Sequence, residues 1–222
     1  MCSRICLSTD IAEIRNRFGV LGGKQGVRPH WNIAPGHVLP VIRWEPLLQR
    51  RCLDLMRWGL VPAWAKSMVI VRASLDVRTM GSEPGDLVRA AAQRCLVPAD
   101  SFYEWRKRDK QPFAIALASR QMMALAGLWN LWLSPAGERV ECFAILTTPA
   151  NALLSPLCER MPVIIMPEDW DRWLGQEPLE TAGLQTLLQP CPDAELTVWP
   201  IDRRVGNMKN DDPGILDRIA NS

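Results

Sequence analysis

The sequence predicts an α+β fold with a mostly antiparallel, barrel-like β core and peripheral helices. Three observations predict it. Short apolar runs bounded by Pro, Gly and Asp recur through the middle of the chain, which is the pattern of many short strands. Helical spacing is confined to a few irregularly placed segments. Strands and helices do not alternate, which disfavours doubly wound and (β/α)8 architectures. The 222 residues, 48% of them hydrophobic, suffice for one core, and no linker divides them, so one domain over 1–222 is expected.

The elements follow in order. "TDIAEIRNRFGV" has apolar residues at helical spacing behind Thr9 or Asp10, either of which suits an N-cap. "HVLPVIRW" and "RCLDLMRWGLVP" read as two strands joined by a turn. "EPGDLVRAAAQR" reads as a helix starting near Pro84 and ending before Cys95. "RCLVPADSFYEW", "PFAIALA", "MMALAGLWNLWL" and "VECFAILTTPA" read as β-rich runs. "PEDWDRWL" reads as a capped helix with Pro167 at its start, and "LETAGLQTLLQ" as another. "ELTVWPI" is a late strand.

Composition narrows the function classes. No apolar run approaches the roughly 20 residues that span a bilayer. The polar, mixed start argues against a signal or transit peptide, so a cytoplasmic protein is expected. The net charge of +2 argues against a globally basic nucleic-acid coat but leaves room for a local basic groove, and the cations are mostly Arg, which suits bidentate phosphate contacts. The seven cysteines form no C-x-x-C pair, and only His30 and His37 could add imidazole ligands, so no metal site and no cofactor are expected. Most cysteines lie in apolar stretches and read as small buried hydrophobes.

Several positions invite a chemical reading. The chain begins "MCSR". Removal of Met1 makes Cys2 the N-terminus and sets its α-amine and thiol on adjacent carbons, a 1,2-aminothiol that reacts with aldehydes. Glu104 lies between Tyr103 and Trp105; a carboxyl held among aromatics is desolvated and suited to proton transfer near neutral pH. On pattern alone, an ordinary strand Glu facing water is the simpler reading. Asn32 belongs to a Pro-Gly loop and can hydrogen-bond its own backbone or a ligand. His37 is either the base of a Cys–His pair or a solvated loop residue. Trp64 is the tryptophan best placed for exposure and for stacking on bases. Arg4 beside Cys2, and Arg160 in "CERMPVIIMP", suit phosphates flanking a reacting nucleotide or, equally, surface ion pairs. The loop "IDRRVGNMKNDDPGIL" either lines a site or closes the structure.

Together these segments resemble the SOS response-associated peptidase family along nearly the whole chain. The match runs through "MC-x-R", "WNIAPG", "WGLVPAW", "CLVPADSFYEW", "KQPFAI", "AGLW", "ILTTPAN", "ERMPVI" and "VGNMKNDDP". The resemblance implies covalent capture of abasic sites in single-stranded DNA, with Cys2 forming a thiazolidine on the ring-opened sugar aldehyde. It implies Glu104 as the acid/base, Arg4 and Arg160 as phosphate contacts, Asn32 as a pocket residue and Trp64 as a wedge against the bases. The expected partner is single-stranded DNA with abasic sites, bound by a monomer with no membrane association, and nucleoid-associated when on DNA.

The chain departs from the family pattern near this site. Ser3 and Ser101 replace family glycines. "RASLD" stands where the family reads "NAR-x-E", which puts Arg72 at the pocket Asn position and Ser74 at a phosphate-binding Arg position. Cys158 occupies the position of the histidine that assists ring opening and crosslink reversal in the family. Two alternatives stand beside covalent capture: a divergent paralogue that binds single-stranded DNA without bond formation, and a cysteine peptidase limited to self-processing.

Overall fold

The computed structural model describes residues 3–21, 28–61, 65, 73–76, 93–177 and 181–220. Among them the strands are β1 (Ile5–Leu7), β2 (His30–Ile33), β3 (Val38–Glu45), β4 (Arg50–Trp58), β5 (Ser74–Asp76), β6 (Arg94–Ala99), β7 (Ser101–Trp105), β8 (Pro112–Leu117), β9 (Met123–Leu133), β10 (Arg139–Pro149), β11 (Arg160–Pro162) and β12 (Leu196–Pro200). The α-helices are α1 (Ile11–Phe18), α2 (Trp170–Leu174) and α3 (Thr181–Leu187).

Two sheets carry the fold. The first has the order β12–β8–β7–β1–β2, antiparallel throughout. The second closes on itself, because β9 pairs both β6 and β10, giving the ring β10–β4–β3–β6–β9. Its β4–β10 contact is parallel and the other contacts are antiparallel. Closure removes the open edges of these strands. The fold is thus α+β with a barrel-like, mostly antiparallel core, as the sequence predicts.

Local chemistry explains the elements. Asp10 caps α1, its carboxylate accepting the amides of Ala12 and Glu13 at 2.8 and 2.9 Å. "AGLW" carries Gly127 where β9 passes β6 closely: a Cβ there would lie 2.8 Å from Cys95 Sγ. The main core joins Ile5, Leu7, Ile33 and Phe102 of the first sheet to Leu96, Leu125, Phe143 and Ile145 of the barrel. A smaller cluster behind the first sheet holds Cys6, Tyr103, Ala114 and Trp199. Side chains alternate along a strand, so Phe102 and Glu104 share the barrel-facing side of β7 while Tyr103 faces the other way.

One expectation gains detail and one needs correction. "RCLVPADSFYEW" is β-rich as expected, in two strands: the chain crosses from the barrel (β6) to the first sheet (β7) at Asp100. The Asp100 carboxylate fixes the crossing by accepting the amide and hydroxyl of both Ser8 and Thr9, at 2.6 to 2.9 Å. "PEDWDRWL" is a 3-10 turn over Pro167–Asp169 followed by the short helix α2, with no side-chain cap on either. The helix expected in "EPGDLVRAAAQR" lies outside the described residues.

Candidate functional site

The site is built where the N-terminal strand meets β7. Ile5 stands opposite Phe102 and Cys6 opposite Ser101. The Tyr103 amide continues the ladder by donating to the Arg4 carbonyl at 3.0 Å. This register puts Ser3, which is exposed, level with Glu104. Cys2 lies outside the described residues, but the peptide bond keeps it one residue from Ser3.

Glu104 does not face water: it is only 5% exposed, on the side of β7 that faces the barrel. Burial pushes its carboxyl up to about 7. Near neutral pH both protonation states are therefore populated, which is the condition for giving and taking a proton in one cycle.

Cys158 lies close enough for the Glu104 charge to act on it. Burial, first, and that charge, second, push the thiol up to about 12. Its Sγ donates to the Leu154 carbonyl at 3.7 Å. At neutral pH it is a protonated thiol, neither base nor nucleophile. Lys107, just beyond β7, pairs with Glu159 and ties the Glu104 strand to the Cys158 segment.

Arg160 opens β11 and is 9% exposed. Its Nε donates to Thr147 Oγ1 at 3.1 Å, and its Nη2 donates to the Thr147 hydroxyl and carbonyl. Thr147 is on β10, opposite Pro162 of β11. The same stretch of β10 pairs with β5, whose first residue is Ser74. The expected phosphate-contacting arginine is thus seated against a neighbouring strand.

Arg4 and Asn32 form a second group. Arg4 Nη1 donates to Asn32 Oδ1 and to the Val205 carbonyl, both at 2.8 Å, and its guanidinium lies 6.0 Å from the centre of the Trp105 ring. Asn32 is 1% exposed, and its Nδ2 donates to the carbonyls of Val205, Asn207 and Asn210 at 2.8 to 3.1 Å. These two residues hold the loop "VGNMKND" against β2. Asp211 completes the clasp, accepting the Trp31 and Asn32 amides at 2.6 and 3.1 Å and the His30 ring at 2.7 Å. Burial pushes Asp211 up, but these partners outweigh it and hold it below the usual carboxylate range. Asp211 and Thr147 lie inside the motifs "VGNMKNDDP" and "ILTTPAN", but nothing in those motifs shows which partners their side chains meet.

His37 does not approach a cysteine through any hydrogen bond among the described residues. Its Nδ1 accepts the Ala34 amide at 3.5 Å, and its ring centre is 6.3 Å from that of His30. Burial and the His30 ring pull it below the usual imidazole range. Of the cysteines described, Cys6, Cys95, Cys142, Cys158 and Cys191 are buried and Cys52 is partly exposed. Trp64 and Arg72 lie outside the described residues.

Comparison with known proteins gives this geometry its context. The family model "SOS response associated peptidase (SRAP)" matches residues 1–208. The protein named abasic site processing protein YoqW, from Bacillus subtilis, is 32% identical over 98% of this chain and 99% of its own. The abasic site processing protein HMCES of Gallus gallus is 27% identical over 97% of this chain and 77% of its own. The abasic site processing protein YedK of Escherichia coli is 28% identical over 81% of this chain and 80% of its own. A crystal structure of a Bacteroides thetaiotaomicron protein shares the fold, with a TM-score of 0.87 at 23% identity over 99% of this chain and 100% of that one. With the family model spanning almost the whole chain, and both the N-terminal strand and the buried Glu104 inside the match, the chain belongs to the SOS response associated peptidase (SRAP) family.

Proposed function

We propose that this protein acts in the DNA damage response by covalently capturing abasic sites in single-stranded DNA through Cys2. The observation that carries the reading is Glu104: a buried carboxyl titrating near pH 7, level with Ser3 and so beside the residue that bears the aminothiol. The names of the relatives support the substrate class.

The chemistry balances without a cofactor. After Met1 is removed, the Cys2 α-amine has an ordinary value of about 7.7–8.0, so a fraction is neutral in the cell. It adds to the aldehyde carbon of the ring-opened sugar. Glu104, protonated, gives a proton to the oxygen that leaves as water, and an imine remains. The Cys2 sulfur then adds to the imine carbon and nitrogen takes a proton. A five-membered thiazolidine closes, with one water released. Glu104 is returned to its starting state by the proton lost from the amine.

The finer assignments follow from the same reading. Arg160 is a phosphate contact that exchanges Thr147 for DNA on binding, and Arg4 with Asn32 shapes the pocket wall. Trp64 and Arg72 are proposed as further DNA contacts, and the protein is proposed to act as a monomer in the cytoplasm, on the nucleoid when bound. A peptidase acting on other proteins would need a base for the Cys2 thiol. His37 Nδ1 is engaged by the Ala34 amide, and a peptidase limited to self-processing of Met1 is kept as the second reading.

The test is a denaturing gel of protein incubated with a single-stranded oligonucleotide carrying one abasic site. The wild type gives a band that survives denaturation, and Cys2→Ala gives none while still shifting DNA in a native gel. A Cys2→Ala band equal to wild type would refute the proposal.

A further inference from the structure

The first sheet carries a recess that the capture chemistry does not use. It lies between the β1–β2 pair and the outer wall of the β3–β4 hairpin, with a volume of about 250 Å³. Leu7, Ile33 and Leu39 form its buried floor, and Val38 and Leu55 its side. Arg28 and His30 complete its lining. Val38 is 48% exposed, so apolar surface opens directly to solvent at this point.

Its chemistry is two-part: five apolar side chains, and two polar ones of which Arg28 is a cation. At about 250 Å³ it is smaller than the roughly 300–1,000 Å³ of sites for drug-sized ligands, and suits one planar ring system. His30 is oriented by Asp211, which accepts from Nδ1 at 2.7 Å and leaves Nε2 as the nitrogen available to a ligand. Arg28 is exposed and offers a guanidinium fork of the kind that grips phosphate.

Its place relates it to the site. Leu7 ends β1, four residues along the chain from Ser3, which is level with Glu104. Four strand residues span about 13 Å. A single strand stacked as in a duplex, at about 3.4 Å per nucleotide, covers that distance in about four steps. Leu7 and Glu104 also face the same side of the sheet, as their partners Ile5 and Phe102 show.

We propose that this recess is a subsite for one intact nucleobase of the captured strand, about four nucleotides from the abasic site, with Arg28 on the adjoining phosphate. The proposal rests on the capture reading for its register and names a further part of its substrate. The subsite fixes which nucleotide enters beside Glu104 by holding a neighbour.

The experiment is a base-deletion scan. Single-stranded oligonucleotides carry one reactive abasic site and, at successive positions to either side, one unreactive tetrahydrofuran residue that removes a base but keeps the backbone. Capture rates are measured with protein in excess at subsaturating concentration. The expected result is a rate loss of about tenfold at one or two positions about four nucleotides away, and little elsewhere. In Val38→Trp, whose side chain fills the slot, the intact strand is slowed and the scan becomes flat. A flat scan in wild type, or an unchanged dip in Val38→Trp, overturns the proposal. Free deoxynucleoside monophosphate is expected to compete only weakly; full competition at micromolar concentration would mark a mononucleotide site and overturn the strand assignment.

If wild type captures nothing, the capture reading has failed and the subsite is judged by equilibrium binding of a plain oligonucleotide. Val38→Trp should then weaken binding without changing its salt dependence, and Arg28→Ala should lower the salt slope by about one. Binding by both variants equal to wild type overturns the subsite on this arm as well.

Discussion

Arg4 Nη1 donates to Asn32 Oδ1 at 2.8 Å, and the same Asn32 side chain donates to three carbonyls of the loop that runs from Val205 to Asn210. The two ends of the chain are thereby joined through one buried amide. A residue two places from the proposed nucleophile is held by a loop two hundred residues away in sequence, and β2 lies between them.

Asn32→Ala should therefore act first on stability. It strips the donor from the buried Val205 carbonyl and from two part-buried carbonyls, and the acceptor from Arg4, and unsatisfied buried polar groups cost about 1–3 kcal/mol each. A loss of about 2–4 kcal/mol is expected, read in urea as a lower midpoint with an unchanged slope. Hydrogen exchange should quicken in residues 205–210. A midpoint equal to wild type would show that the clasp carries no stability.

Glu104→Gln should separate activity from stability. Glu104 titrates near 7 in the folded protein against an ordinary value of 4.5. Its folded-state value is raised, so between those values the folded state binds more protons than the unfolded one. Stability then falls as pH rises through that window, by about 3 kcal/mol in all. Glu104→Gln removes this penalty: it should be more stable than wild type at pH 8 and nearly equal at pH 4. Capture should slow by about 10²–10⁴-fold, the usual worth of a general acid/base. Equal unfolding midpoints at pH 8 would show that the carboxyl is not desolvated.

Cys158→His would restore a group that titrates near neutrality beside Glu104. The native thiol, pushed up to about 12, holds its proton under physiological conditions. Crosslinks made by wild type should persist when challenged with excess unlabelled abasic DNA. Those made by Cys158→His should release faster, with a fold cost of about 1–3 kcal/mol for the larger side chain in a buried place. The release rate of purified crosslink decides it, and equal rates would show that this position does not govern reversal.

Asp100→Ala should loosen the crossing between barrel and first sheet. Its carboxylate meets four donors from Ser8 and Thr9. Their loss should cost about 2–4 kcal/mol, less where water reaches the freed amides. Thermal melts of the variant and of Asp100→Asn, which keeps half of the acceptors, should rank wild type above Asn above Ala.

The sequence made some of this legible and hid the rest for physical reasons. The Asp10 cap and the β3–β4 hairpin are written locally, in capping chemistry and in strand–turn–strand order, and both stand in the structure. The ring closure is not, because it depends on β10 pairing in parallel with β4, a contact made across a long stretch of chain. That β6 and β7 on either side of Asp100 join different sheets is not legible either, because no local signal tells which sheet a strand joins. Glu104 was ambiguous for the same reason: its aromatic neighbours suggest desolvation, but burial follows from which face of β7 meets the barrel. Arg4, Asn32 and Arg160 each read two ways, as contacts for DNA or as structural groups, since residue type shows a donor but not whether the fold already uses it.

The most direct test is the intact mass of the purified protein before and after incubation with single-stranded DNA bearing one abasic site. The account predicts a chain lacking Met1 that then gains the mass of the oligonucleotide less one water. A chain lacking Met1 that gains no mass would contradict it.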